Sequence, residues 1–361
     1  MTDSSFLHWD RRYARVMLVL VAIMVLVGVA VSLSPLAQGF ADKQREGTND
    51  IALYQAEVDR IGAGETYYAA ATAELAPRGY PTRSVFNWRT PLPMWLIGVL
   101  PDPVFGKAIL CGLAIATMLL AFEWTARELG KWPSAWCIVL LAGGLLPCFL
   151  SNVYVMPVLW AGTLIALSVC ALAIERRKLG IACGIAAVFV RDLAGPYCVV
   201  GLGVAVWQRR WKEASLWFSG LAAYSLFFLW HAAQVAAWRT PDATSHAEGW
   251  LQFGGLPFLL STAQMNGFLL ILPQWVTAIY LPLALLGFVS WSTPAGRFAT
   301  LTALTFVMLF TIVGLEINQY WGSLMAPLLC LGAVRSPLAI RELLQAADWS
   351  WRPALPRKSA A

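Results

Sequence analysis

The sequence predicts an all-α, polytopic bundle of about ten transmembrane spans, organised around one long polar loop outside the membrane. Three observations predict it. Of 361 residues, 59% are hydrophobic and only 13% charged, about half the charged share of a soluble domain. The apolar residues fall into runs near the roughly 20 residues that cross a bilayer, and Lys and Arg collect in short clusters between those runs. One passage, residues 48–93, is long and polar, with apolar chain on both sides.

Taken in order, Arg11, Arg12 and Arg15 precede an apolar run at residues 16–33. The run is long enough for a retained anchor, and the positive-inside bias places the N-terminus in the cytoplasm. Residues 37–103 then form an external loop with short helices. Its last segment, 92–100, is too short to span and is bounded by Pro91, Pro93 and Pro101, so it lies at the outer surface or dips in and returns. Spans follow at 104–122, 132–150 and 155–174, the last closing on Glu175, Arg176, Arg177 and Lys178. Residues 179–207 carry Arg191 and Asp192 near their middle and lead to Arg209, Arg210 and Lys212. Two short arms meeting at Arg191-Asp192 keep both basic clusters inside, which a single crossing does not. A span at 214–238 leads to a second external loop and surface helix, 239–273, containing Asp242, His246, Glu248 and Trp250. Spans at 274–291, 298–315 and 320–334, with Arg297 and Arg335 inside, bring the chain to a basic cytoplasmic tail, 336–361. The reading is one integral domain of the plasma (inner) membrane, with both termini cytoplasmic.

The net charge of +6 is spread over these turns rather than along one face, which excludes a nucleic-acid interface. Seven cysteines lie in or beside apolar runs without a CxxC pair, and the three histidines are scattered. Neither pattern makes a metal site or a disulfide framework. No Walker-type glycine loop is present, which argues against an ATP-driven pump within the chain.

The residues able to carry chemistry cluster on the predicted outer side. Asp50, Tyr54 and Glu57 recur at helical spacing, so one helix face carries two carboxylates and a phenol. Arg78, Arg83 and Arg89 follow; Arg191 and Asp192 stand at the hairpin tip; Glu316, Asn318 and Tyr320 precede the last span. Arginine holds phosphate through a planar fork of donors, and a carboxylate takes a proton from an attacking hydroxyl. Each residue also has a structural reading. Thr48, Asn49 and Asp50 are all good helix caps. Glu57, near Arg60, suits a solvated face. Arg78 and Arg83 bracket an evident turn at Gly79-Tyr80-Pro81. Arg191 and Asp192 could neutralise each other, although adjacent residues on a helix do not face one another. Arg89 abuts Trp88 and the return to lipid, where a charge needs a partner or a function. His231 and His246 read as packing or surface residues. The flanking tryptophans (among them Trp95, Trp124, Trp207, Trp211, Trp291 and Trp321) read as interfacial belts, with Trp88 the candidate to stack on a sugar.

Asp50-x-x-x-Tyr54, then Ala56, Gly64 and Tyr67-Tyr68, just after a first transmembrane helix, resembles the first external loop of the GT-C glycosyltransferases. The pattern is most like that of the family 87 mannosyltransferases, which use polyprenyl-phosphate sugars. Arg191-Asp192 with Pro196-Tyr197 is similar to the basic-acidic pair that many of these proteins carry in a middle helix. The resemblance covers the topology and some forty residues of motif. It implies a GT-C-like fold with a catalytic first external loop, and inverting transfer from a polyprenyl-phosphate sugar donor to a lipid or glycan acceptor at the outer face. Asp50 would be the general base. Arg89, Arg191 and Arg83 would hold the departing phosphate, and Tyr54, Glu57, Tyr68, Trp88, Asp192, Asn318 and Tyr320 would contact substrate. No cofactor is required, since arginines can neutralise a lipid monophosphate; a divalent cation is compatible with this chemistry but not indicated. Two other readings stand beside it. One is a transporter or flippase of a lipid-linked or anionic solute, for which repeated broken helices would be the mark. The other is a non-catalytic partner in envelope assembly, which would tolerate neutralisation of Asp50.

Overall fold

The computed structural model of the protein describes residues 6–35, 37, 39, 50–150, 152–245 and 252–349, with only the backbone of Glu316. The caps Thr48 and Asn49, the loop residues His246, Glu248 and Trp250, and the chain beyond 349 lie outside the described residues. Within them the protein is helical, with no strand.

Helix α1 (Arg11–Ser32) starts where Asp10 accepts the N–H of Arg12. Apolar residues all around it leave Val19 and Leu26 exposed, the signature of a helix meeting lipid. Residues 50–98 hold three short helices, α2 (Asp50–Gly62), α3 (Tyr67–Leu75) and α4 (Leu92–Gly98). Next, α5 (Val104–Leu129) and α6 (Lys131–Leu145) pack as neighbours, and α6 gives way at Pro147 to a 3-10 turn, Leu146–Phe149. Helix α7 (Pro157–Ala173) is apolar on every side and buried from Pro157 to Ala171, which makes it the axis of the core.

The predicted hairpin at 179–207 is present. Helix α8 (Arg177–Val190) and helix α9 (Gly195–Trp207) are joined by a 3-10 turn, Asp192–Ala194. Their antiparallel course follows from contacts on both sides of the tip: Cys198 Sγ lies 3.2 Å from the Gly184 carbonyl, and a Cβ on Gly195 would meet Val188. Trp217 of α10 (Trp211–Trp238) fills the cleft between the arms, its ring against Gly184 on one and Gly201 on the other. Any side chain at either glycine would push this ring out.

Helix α11 (Gly255–Ala263) is followed by α12 (Gln274–Val289), α13 (Pro294–Ile312), a 3-10 helix at Glu316–Leu324, and α14 (Ala326–Ala346). Five described helices are long and apolar enough to cross a membrane alone, and a sixth crossing results if Ile317–Leu324 and Ala326–Ala346, bent by 59°, form one broken span. The other expected spans are shorter: Pro157–Ala173, Asp192–Trp207 and Gln274–Val289 are apolar helices of 10–17 residues. Glycine brings α12 and α14 into backbone contact, because a Cβ on Gly287 would strike the Gly332 carbonyl.

The end of the chain differs from expectation. Helix α14 runs past Arg335 to Ala346 instead of ending at 334, and Ala339 and Leu343 pack with Phe6, Ala14 and Leu286. Arg335 is therefore buried rather than a surface charge. Its guanidinium donates to Ser290 Oγ (2.9 Å) and O (3.1 Å), approaches Glu342 at 3.7 Å and lies over the Trp291 ring. The tryptophans also divide. Trp132, Trp207 and Trp211 are exposed, as an interfacial position requires, whereas Trp124, Trp291 and Trp321 are buried. Trp124 and Trp291 stack at 4.4 Å, and the indole N–H of each donates to Glu128.

The 3-10 helix Glu316–Leu324 threads between α11 and α7 only because Gly322 faces the Thr262 carbonyl and Gly162 faces that of Ser323. An added methyl meets backbone at both places, so Gly162→Ala is expected to cost about 1–3 kcal/mol. The cost would appear as a lower midpoint of thermal unfolding in detergent; an unchanged midpoint would show that the 3-10 helix is not clamped there.

Candidate functional site

The site is assembled on α2. Its buried face consists of Asp50, Leu53, Tyr54, Glu57, Val58 and Ile61, the helical spacing read from the sequence. The helix can sit low because Gly98 of α4 leaves room for Ile61, whose Cβ would be 2.7 Å from any Cβ placed there. Residues 82–91 then fold back over it. Ser84 caps the short turn Val85–Asn87, and Trp88 is sealed inside with its indole N–H on the Thr82 carbonyl at 2.8 Å.

That fold-back forces Arg89 into the left-handed region, φ 54°, a conformation costing on the order of 1–3 kcal/mol for a residue with a Cβ. Its guanidinium then reaches three chain segments. Nε donates to Tyr54 Oη (2.9 Å), one terminal nitrogen to Tyr320 Oη (3.1 Å) and the other to the Phe86 carbonyl (2.7 Å), while Tyr67 Oη donates to the carbonyl of Arg89 itself (3.2 Å). All these partners are neutral oxygens. Arg89 remains partly exposed, so its charge is available to an anion.

One helical turn before Tyr54, the carboxylate of Asp50 accepts from Tyr80 Oη at 2.7 Å. From the other side, Thr90 Oγ1 donates to the Val190 carbonyl (3.0 Å) and ties the loop to the hairpin tip. Arg191, only 4% exposed, lies within electrostatic reach of Tyr54. Its Nε is 3.4 Å from Asp192 Oδ1 but makes no hydrogen bond among the described residues. These neighbours do face each other, contrary to the helical expectation, because Arg191 has left the helix for an extended backbone (φ −148°, ψ 119°).

Burial governs the ionisation of the α2 face. It drives the Tyr54 phenol well up, against the pull of Arg89. It also pushes Glu57 up to about 8, again opposed by Arg89. Glu57 is thus not on a solvated face: Arg60 turns away to pair with Glu65 (2.8 Å) and Glu74 (2.6 Å), and Glu57 Oε2 has no hydrogen-bond partner among the described residues.

Of the residues singled out from the sequence, Asp50, Tyr54, Glu57, Arg89, Arg191 and Tyr320 are brought together around α2, with Asp192 against Arg191. Asn318 is buried nearby in sequence on the 3-10 helix, its Nδ2 unpartnered among the described residues. Three others fall elsewhere. Arg83 is exposed, and its backbone N–H bonds Thr244. Trp88 is 1% exposed and has no open ring face for a sugar. Tyr68 points to α10, its hydroxyl 2.8 Å from Nδ1 of the buried His231, so Tyr67 is the tyrosine that touches Arg89. Sequence reasoning missed Tyr80, read only as part of a turn, and Thr90, which carried no signal.

Beside the polar cluster runs a groove of about 690 Å³, walled by Tyr67, Tyr68, Leu92, Trp95, Phe227 and Trp230. Tyr67 belongs to both. Among the described residues no group of three or more His, Cys, Asp or Glu side chains could hold a metal ion. Comparison with family models, with curated proteins and with solved structures finds no match for the chain. Fold and site together define a protein that is all-helical among its described residues, with several helices long and apolar enough to cross a membrane and a compact carboxylate–arginine–phenol cluster under the segment 82–91.

Two measurements follow from this geometry. The folded protein holds the Glu57 proton up to about pH 8, whereas an unfolded chain releases it near pH 4.3. Its contribution to stability is therefore full below about pH 4 and lost as pH rises through about 8. Glu57→Gln should flatten the fall of the melting temperature over that window, and an equally steep fall would place Glu57 in contact with water. Arg89→Gly relieves the backbone and should exceed Arg89→Ala in stability by about 1 kcal/mol, with equal loss of anion binding; equal stabilities would mean that φ relaxes without the side chain.

Proposed function

We propose that the protein is a membrane glycosyltransferase of GT-C type, which moves a sugar from a polyprenyl-phosphate donor to a lipid or glycan acceptor at the outer face of the plasma membrane. One observation carries the reading: a carboxylate on α2, Asp50, and an arginine brought over the same helix by the 82–91 fold-back, Arg89, which has no carboxylate in hydrogen-bond contact among the described residues, stand beside a groove whose walls are mainly apolar. That combination suits a substrate with an anionic head and a hydrocarbon tail, and a reaction in which an acceptor loses a proton.

On this reading Asp50, oriented by Tyr80, takes the proton from the acceptor hydroxyl as its oxygen attacks the anomeric carbon from the face opposite the phosphate. The bond from that carbon to the phosphate oxygen breaks, and the charge left on the lipid phosphate falls to Arg89 and Arg191. Tyr54 and Tyr320 fix the plane of the Arg89 guanidinium, so its donors are aimed before substrate arrives. The low exposure of Arg191 strengthens its field at the phosphate.

A transport reading is favoured by one feature that the sequence did not reveal. Besides the break at Arg191–Ala194, the chain breaks again between Ile317–Leu324 and Ala326–Ala346, and paired broken helices are common in transporters.

Transfer from a panel of polyprenyl-phosphate sugars by purified protein separates the two. Asp50→Asn is expected to lower transfer by about 10²- to 10⁴-fold and leave binding of the lipid phosphate intact, while Arg89→Gln weakens that binding. Intact protein that moves labelled lipid across liposomes and transfers no sugar, or an Asp50→Asn variant with full transfer, would overturn the enzyme reading.

A further inference from the structure

At the end of the bundle remote from this site, a second groove lies between α9 and α13. Its volume is about 420 Å³, and its walls include Val200, Gly203 and Trp207 on one side and Arg297, Leu301 and Thr305 on the other. The 13 residues of α9 separate the hairpin tip from Trp207 at the far end of this groove by about 20 Å, and the groove shares no lining residue with the one beside the site described above.

The groove has a polar mouth and an apolar floor. Arg297, in the first turn of α13, stands at the mouth together with the end of α9, where Gln208 and Arg209 follow Trp207. Val200 and Leu301 line its apolar part, and Gly203 leaves it open, since a Cβ there would meet nothing within 4 Å. Trp207, 87% exposed, and Trp211, 65% exposed, flank the mouth and set it at the level of lipid head groups.

The charges at this end are unequally balanced. Arg177 and Arg210 share Glu213, at 3.2 and 3.6 Å, and Arg177 also meets Glu175 at 2.5 Å. Arg209, Lys212 and Arg297 are exposed and have no acidic partner among the described residues. A zwitterionic head group would leave this surplus uncompensated.

We propose that this groove is a binding site for an anionic glycerophospholipid of the inner leaflet, with its phosphate on Arg297 and one acyl chain along Gly203 and Leu301. Basic pockets between transmembrane helices on the cytoplasmic side hold such lipids for the same reason: each Lys or Arg near the surface contributes about 1 kcal/mol. The acyl chain contributes the rest along the apolar surfaces of Val200 and Leu301, the second of which is 48% exposed.

The test uses the full chain in detergent, with dioleoyl phosphatidylglycerol and dioleoyl phosphatidylcholine added back and bound lipid counted by native mass spectrometry. Phosphatidylglycerol should be retained over phosphatidylcholine by about five- to tenfold. Arg297→Gln should remove most of that preference, Arg297→Lys should keep it, and Gly203→Leu should prevent retention of either lipid. Gly203 is exposed in a helix and leucine is the better helix former, so Gly203→Leu should melt no lower than the wild type in lipid-free detergent, and variants of the exposed Arg297 should melt as the wild type does. Glycerol 3-phosphate, which has the head chemistry and no chain, should not displace the bound lipid. Equal retention of the two lipids, full retention by Gly203→Leu, or displacement by glycerol 3-phosphate would overturn the proposal.

Discussion

The structure of residues 50–98 depends on the Arg89 guanidinium. Three stretches that the chain delivers separately, α2, the 85–89 turn and the 3-10 helix before α14, have in common that each presents an oxygen to this one group. A planar five-donor fork is suited to that task as an ammonium is not, because its directions are fixed before any partner arrives. The strain at φ 54° is offset by those hydrogen bonds together with that from Tyr67. The arrangement also explains why neutral phenols surround the arginine. A carboxylate in contact would hold it equally well but would neutralise it, and the protonated state of Glu57 keeps the nearby buried carboxyl from doing so.

Precision at the site is inherited from close packing deeper in the bundle. Tyr320 reaches Arg89 because the 3-10 helix passes between α7 and α11 with glycine at both crossings, Gly162 and Gly322. Arg191 is presented because the hairpin arms are clasped about Trp217, again with glycines facing the ring. In both cases an absent side chain in the apolar interior sets the position of a charge at its edge. Interiors packed as densely as crystals transmit such displacements rather than absorbing them.

Much of this organisation was legible in the sequence, and the reasons differ by element. The helix face Asp50-Tyr54-Glu57 and the hairpin at Arg191-Asp192 could be read because periodicity and the positive-inside bias are local signals. The environment of Glu57 could not, because Arg60, its apparent neighbour along the helix, is claimed by Glu65 and Glu74 from another segment. Arg335 resembled every other basic residue at a span end, and only the tertiary fold, which brings Ser290, Trp291 and Glu342 around it, makes it internal. Tyr80 was hidden for a third reason: a residue in a Gly-Tyr-Pro turn explains itself locally, so nothing marked its hydroxyl as the partner of Asp50. The count of about ten spans likewise relied on run length, and a run such as α7, buried on all sides, is as apolar as one that faces lipid.

The two ends of the molecule treat charge in opposite ways, and the contrast bears on what each can bind. At the end that carries Arg89, cations are set among phenols and backbone carbonyls in a partly enclosed space, where the effective dielectric is low and an approaching anion feels them strongly. At the other end Arg177 and Arg210 are largely neutralised by glutamates, and the surplus cations are exposed, where screening limits each to a small contribution. The first design is selective, since a ligand must fit between fixed donors. The second is permissive, since any anionic surface satisfies exposed cations, and selectivity arises there only where a groove such as that beside Gly203 adds a demand for shape. A chain with only 13% charged residues thus gives the same residue type, arginine, two different settings by changing what surrounds it.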